Sequence, residues 1–291
     1  MNLVANITAR NLRLYFRDRM NVFFSLLAAL ILFLLYTLFL GNQQTIGLTE
    51  SFPQASEQDI KGFVDSWMFA GIVGITVITA GLGAMNVFVE DSASGRFRDF
   101  LVSPISRGQL VLGYLLAAVV ISLMVTTLVL VASLAYLYFV DDVTLTAAHL
   151  ARPYGYLVLS CLAFGALSAL VVSFVRTPGA YSALSTLVGT ILGFAAGSYI
   201  PVGAFPESVR SIVTALPFMQ ASMVVRQEMT ADSLGAVTDQ PEGIAQVQEV
   251  YGITAQVGDW TVSAGYVVLI LAAMTVVFTA LAAQRIRTRI R

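Results

Sequence analysis

Few residues in this chain could perform covalent or acid–base chemistry. Among its 291 residues there is one cysteine (Cys161), one histidine (His149) and one lysine (Lys61). A lone cysteine cannot close an internal disulfide, and one cysteine with one histidine argues against a metal site. No G-x-x-x-x-G-K-[ST], H-E-x-x-H, C-x-x-C or G-x-S-x-G motif is present. The adjacent carboxylates Asp141 and Asp142 read as topology-setting or solvated surface rather than a catalytic couple, and His149 reads as an ordinary loop residue. The sequence therefore predicts no catalytic residue, no metal and no cofactor bound by this chain. What remains is the chemistry of recognition.

The stretch best suited to recognition is Glu90–Arg107, EDSASGRFRDFLVSPISR, which lies between two long apolar runs. Ser92 and Ser94 are good N-cap types ahead of Arg96-Phe97-Arg98-Asp99-Phe100-Leu101-Val102. Pro104 disfavours helical geometry at Ser103 and ends that element. Ser106 and Gln109 then form an S-x-x-Q capping box that opens the next apolar helix. A helix of one to two turns is predicted, carrying Phe97, Phe100 and Leu101 among Arg96, Arg98 and Asp99. Such a piece can lie on lipid headgroups or insert into a partner protein.

The elements that hold this loop are membrane spans. The chain is 57% hydrophobic and 11% charged, with a mean hydropathy of +0.81; soluble domains carry about a quarter charged residues. Six apolar runs, near 20–40, 67–89, 110–139, 155–175, 179–200 and 261–283, meet the spanning length of about 20 residues. The first is too long for a signal peptide's apolar region and reads as an uncleaved span. Twelve of the sixteen basic residues fall in the N-terminal segment, the 90–107 loop, Arg176 and the C-terminus. The other side has Lys61, Arg152, Arg210 and Arg226 with thirteen of the seventeen acids. The positive-inside rule then puts both termini and the 90–107 loop in the cytoplasm of a multi-pass plasma-membrane protein.

Residues 1–19 show Leu3, Ile7, Asn11/Leu14 and Tyr15 at helical spacing, with Arg10, Arg13 and Arg17 opposite. That pattern predicts an amphipathic helix along the membrane surface; a plain basic flank is the alternative. The external loop 41–66 is polar and acidic, with little apolar periodicity. In the external segment 201–260, Pro201, Pro206 and Pro217 delimit two short half-apolar helices of re-entrant or interfacial type, including Arg226. Residues 230–259 follow as a polar, acidic surface excursion. Gly189, Gly193 and Gly197 form a small-xxx-small face on the fifth span, for helix packing or a position beside a pathway. The fold class is thus an all-α integral membrane protein, with an interfacial helix (1–19) and a six-span domain (20–291).

None of the six runs contains Asp, Glu, Lys, Arg or His. Ion-coupled carriers usually need such groups at membrane depth, although carbonyls at broken helices can hold sodium. An ion-coupled secondary transporter is therefore disfavoured, and a non-transporting anchor or sensor stays open.

Glu90, Gly95, Phe100-Leu101 and Ser103-Pro104-Ile105-Ser106-Arg107, followed by Leu112-Gly113, resemble the second cytoplasmic loop of ABC-2 type exporter permeases. Leu216-Pro217 through Arg226 is similar to that family's N-P-…-R stretch. The chain departs from the family at Asp91, where a basic residue is usual, and at Leu216, where asparagine is usual. The resemblance covers nearly the whole length. It implies a bacterial export permease working with two copies of a cytosolic ATPase subunit and a second permease copy or a related permease. ATP and Mg would be bound by the ATPase. The 95–102 helix would be its coupling helix, with Glu90, Gly95, Arg96, Phe97, Arg98, Phe100, Leu101, Pro104 and Arg107 at the contact. The bilayer is the other partner, and no nucleic acid is implied. A drug or antimicrobial peptide is the favoured cargo, with lipid and polysaccharide as alternatives.

Overall fold

The structure is a computed structural model and describes residues 3–101, 105–144 and 147–289. Helix α1 (Leu3–Arg17) turns at Asp18 into α2 (Arg19–Leu35), where the Asp18 side chain accepts from the Asn21 amide. A π-helical turn at Tyr36–Leu40 joins α2 to α3 (Gly41–Ser51) as one continuous rod. That turn needs glycine at 41, since a Cβ there would lie 2.7 Å from the Tyr36 carbonyl oxygen. Ser56 caps α4 (Glu57–Ala84), which is offset at Met85 from α5 (Asn86–Ala93). Then come α6 (Phe97–Leu101), α7 (Arg107–Val140), α8 (Ala147–Val172) and α9 (Pro178–Ala195). A 3-10 turn (Val202–Ala204) leads to α10 (Glu207–Ala215) and α11 (Pro217–Met229), which meet at 81°. The chain continues through α12 (Ala231–Val237), α13 (Pro241–Val250) and a hairpin of β1 (Gln256–Val257) with β2 (Trp260–Thr261), to α14 (Ala264–Arg289).

The protein is an all-helical multi-pass membrane protein, apart from two strands of two residues each. Among the described residues five helices are long and apolar enough to cross a bilayer: Arg19–Ser51, Glu57–Ala93, Arg107–Val140, Ala151–Val172 and Ala264–Ile286. The bent α10–α11 pair makes a sixth if it is one broken span. Helix α9, in the run expected to be the fifth span, has 18 residues and at 1.5 Å per residue is about 27 Å long.

Helix α4 is the hub of the bundle. Its most apolar stretch is 83% buried, against 17–56% for the other four long helices. Helices α2, α7, α8 and α11 surround it, and α14 lies outside against α8. The glycines of the second span make this crowding feasible. A Cβ on Gly71 would sit 3.2 Å from Ser198 Oγ, and one on Gly74 would sit 2.7 Å from Ser222 Oγ. Shortened side chains thus admit α11 and the end of α9 to the α4 surface.

Three expectations change. The 41–66 loop is almost entirely helix, with only 52–56 between α3 and α4. Ser56 accepts from the Asp59 amide, and Glu57 and Asp59 sit in a first turn where negative charge is favoured. The 230–259 excursion is a packed cap. Its apolar residues Leu234, Val237, Val247, Tyr251 and Ile253 are buried, while Val250 stays exposed, and Trp67 Nε1 donates to the Tyr251 carbonyl at 2.6 Å. Asp141 is not solvated surface but 5% exposed and ion-paired with Lys61. Asp142 does stay exposed, at φ 54°, and accepts from Gln58.

The stripe Ile7–Asn11–Tyr15 on α1 is covered by the foot of α7 rather than left to lipid. Thr8 Oγ1 donates to the Gly113 carbonyl at 3.3 Å, and a Cβ on Gly113 would lie 2.5 Å from Ile7 Cγ2. Gly113→Ala should therefore overpack this seat and cost about 1–3 kcal/mol. Adding Ile7→Ala should recover most of the loss, as read by thermal melting in detergent. Additive losses in the double variant would contradict the seat.

Candidate functional site

Helix α5 ends where the recognition loop begins. The Ser94 amide and Oγ both donate to the Glu90 carbonyl, the latter at 2.8 Å, and Gly95 follows at φ +76°. A left-handed glycine one residue past a helix is the usual reversal of a C-terminus. Ser94 therefore closes α5 instead of opening the next helix, and Ser92 lies within α5, which corrects the sequence expectation. The reversal leaves α6 as a single turn, Phe97–Leu101. Pro104 lies outside the described residues, as do the side chains of Arg98 and Leu101. The capping box is formed as expected: Ser106 Oγ accepts from the Gln109 amide at 3.3 Å, and Gln109 Oε1 accepts from the Ser106 amide at 3.0 Å.

Phe97 was expected to face a partner, but it is 8% exposed and turned inward. Its ring centroid lies 5.2 Å from Phe88 and 6.1 Å from Tyr114. It anchors α6 to α5 and α7. Glu90 is exposed and accepts from Asn86 Nδ2 at 2.8 Å. Gly95, Arg96, Asp99 and Arg107 lie on the exposed side of the loop, and Phe100 is half-buried.

Asp91 organises the corner. Its side chain is fully buried and accepts from Arg10 Nη1 at 2.6 Å, Arg10 Nη2 at 3.0 Å, Arg96 Nη1 at 3.1 Å and the Tyr114 hydroxyl. A carboxylate deprived of water is tolerated only with charged or multiple donors, and here two guanidiniums and a phenol supply them. The hydrogen bonds that Arg10 donates to Asp91 outweigh partial burial and raise the Arg10 pKa, so this guanidinium stays charged. Arg10 also donates to Asn11 Oδ1 at 2.9 Å and lies 5.3 Å from the centre of the Phe100 ring. One carboxylate thus joins α1, α5, α6 and α7. Arg13 and Arg17 remain exposed on α1.

The second constellation lies at the far end of the bundle. Arg226 on α11 is fully buried, its guanidinium 5.3 Å from the centre of the Trp67 ring. Nη2 donates to the carbonyls of Ala196 at 3.0 Å and Gly197 at 2.7 Å, just past the end of α9. A cation here satisfies terminal carbonyls and complements the negative end of the helix dipole. Pro217 occupies the first turn of α11, where a missing N–H costs nothing.

The glycines expected to form a packing face have local jobs. Gly197 adopts φ +61° beyond α9, and a Cβ there would meet Val202 at 2.6 Å. Gly193 makes room for the Tyr199 ring, 2.2 Å from where its Cβ would lie, while Gly189 faces open space and its carbonyl accepts from the Tyr199 hydroxyl.

This geometry ties four parts of the chain together around one buried carboxylate. Among the described residues no cluster of three or more His, Cys, Asp or Glu could hold a metal. A family model of the ABC-2 type transporter matches residues 2–229. The chain belongs to the ABC-2 type transporter family and is its membrane component. No curated protein matches it. The match runs from α1 to the end of α11, and so takes in both constellations.

Asp91→Ala should cost about 3–5 kcal/mol, because it strands a partly buried guanidinium and a buried phenol. It should also open α1 to trypsin at Arg10 and Arg13. In a double-mutant cycle with Arg10→Ala the losses should couple by more than about 1 kcal/mol; strict additivity would contradict the hub. At the other end, Arg226→Leu should uncap α9. With Ser198→Cys in a Cys161→Ser background, it should speed labelling by an impermeant maleimide. An unchanged labelling rate would contradict the capping role.

Proposed function

We propose that the chain is the permease subunit of an ATP-driven exporter, energised by two copies of a cytosolic ATPase that engage the α5–α6 corner. It pairs with a second copy or a related permease in the plasma membrane, with both termini cytoplasmic. It moves an amphipathic or lipophilic molecule outward, a drug or antimicrobial peptide being favoured over lipid or polysaccharide. In this reading α9 is the fifth of six spans and α10–α11 dip into the outer leaflet.

The observation that carries the reading is the buried Asp91 cluster. A knob that received force but swung freely on its loop would transmit nothing. Here the knob's single turn is tied by Asp91 to α1 and α7 and by Phe97 to Phe88 and Tyr114. A push on α6 is thereby a push on α4–α5 and α7 together, which suits switching of access by tilting packed helices. The docking contacts are assigned to Arg96, Asp99, Phe100 and Arg107 on the open side, with Arg98, Leu101 and Pro104 alongside in the sequence. Phe97 is reassigned from partner anchor to internal clamp. Glu90 and Gly95 shape the corner, while Arg13 and Arg17 face outward from α1 and suit lipid headgroups.

The purified chain should hydrolyse no ATP alone and support hydrolysis only with an ATPase, the first candidate being one encoded by a neighbouring reading frame. Phe100→Asp with Arg107→Glu should weaken co-purification by about tenfold or more, the scale of losing an interface hot spot, with helicity unchanged. Wild-type association by that variant would refute the docking role. Uphill flux by the chain alone, driven by an ion gradient in proteoliposomes, would replace the reading with a secondary transporter.

A further inference from the structure

A groove of about 660 Å³ opens between the end of α8 and the start of α9, lined by Leu170, Phe174, Val175, Ala180 and Leu184 with Arg176 and Thr177 at its mouth. Its size is within the roughly 300–1,000 Å³ of small-molecule sites. It sits at the same end of the bundle as the Asp91 corner, since the hydroxyl of Tyr181 on α9 donates to the Leu82 carbonyl beside α5. Phe174 is 60% exposed at the rim, and the Arg285 guanidinium from α14 lies 4.8 Å from its ring centre. Arg176 is exposed in the turn itself.

The α8, α9 and α14 sides of this groove carry only positive charge, and the nearest acid is Glu90 of α5, which interacts with Tyr181 at the start of α9. No Asp or Glu occurs from 143 to 206 or from 260 to 291, whereas Arg176 and Arg285 flank the opening and further arginines follow at 287, 289 and 291. The start of α9 adds the positive end of an 18-residue helix dipole. Above the groove an apolar stripe runs up α9 through Leu184, Leu187, Ile191 and Phe194, the last three 58%, 53% and 42% exposed. A cationic mouth below a greasy channel that runs along a membrane helix matches a molecule with an anionic head and long hydrocarbon tails.

We propose that this groove holds one anionic phospholipid of the bilayer, its phosphate between Arg176 and Arg285 and its acyl chains along Phe174, Ala180, Leu184 and the α9 stripe. Basic pockets between spans select anionic headgroups in this way. The site does not depend on which cargo the protein moves, and it tethers α9 to the closely packed α8–α14 pair.

The test uses the full chain in nanodiscs of phosphatidylcholine, with or without a minority of phosphatidylglycerol, followed by native mass spectrometry under progressive delipidation. The wild type should retain one phosphatidylglycerol per chain with about thirtyfold preference over phosphatidylcholine, the scale of two basic groups at about 1 kcal/mol each at a membrane surface. Arg176→Gln with Arg285→Gln should lose the preference but keep its melting temperature in pure phosphatidylcholine. Arg176→Lys with Arg285→Lys should keep the preference. Equal retention of both lipids by the wild type, or an undiminished preference in the glutamine variant, would overturn the proposal. So would a disulfide between two copies through Ala180→Cys in a Cys161→Ser background, which would give the groove to a second copy.

Discussion

A carboxylate removed from water must be surrounded by donors or it will not stay buried, and Asp91 meets that condition only when four elements converge. Arg10 arrives from α1, Arg96 from the loop before α6, and Tyr114 from α7, each hydrogen-bonded to the same two oxygens. The bidentate Arg10 pair is lost if α1 leaves its seat on α7, which would leave the buried carboxylate with only Arg96 and Tyr114. The amphipathic N-terminal helix therefore braces the Asp91 corner with its apolar stripe, while its Arg13 and Arg17 face stays exposed. The seat itself depends on a missing side chain at Gly113, against which Ile7 lies.

The opposite end of the bundle follows the same rule with the charges reversed. There the unsatisfied groups are the carbonyls that end α9, and the buried guanidinium of Arg226 supplies the donor. Between the two charged ends runs α4, almost wholly enclosed, with glycines where its neighbours come closest. An enclosed helix fixed at each end to different partners is suited to carry displacement along its length. The cap formed by 230–259 closes over the Trp67 end of α4 through Trp67 and Tyr251.

Much of the fold was legible in the sequence because it depends on local patterns. Long apolar runs, the Ser106–Gln109 box, the α1 periodicity and the proline-bounded α10 and α11 all act within a few residues. The site was less legible because its partners are far apart: Asp91 meets Arg10 across 81 positions and Tyr114 across 23. By resemblance Asp91 was only a departure from a family pattern, whereas its burial makes it the hub. Phe97 faces inward because Gly95 reverses the chain in a left-handed turn, so the serines ahead of it terminate a helix. The glycines of α9 looked like a face for another helix, and two of them serve the chain's own return. Residues 230–259 looked solvated because a cap needs only a handful of apolar contacts.

If an ATPase drives the protein as proposed, α6 and α1 move as one body. Spin labels at Arg13 and Asp99 of one subunit, in the complex reconstituted with its ATPase, give the most direct test through pulsed electron resonance distances. A single narrow distribution, identical without nucleotide and with ATP trapped, is predicted. A distribution that shifts or splits on ATP binding would show the corner hinging under load, and the account would be wrong.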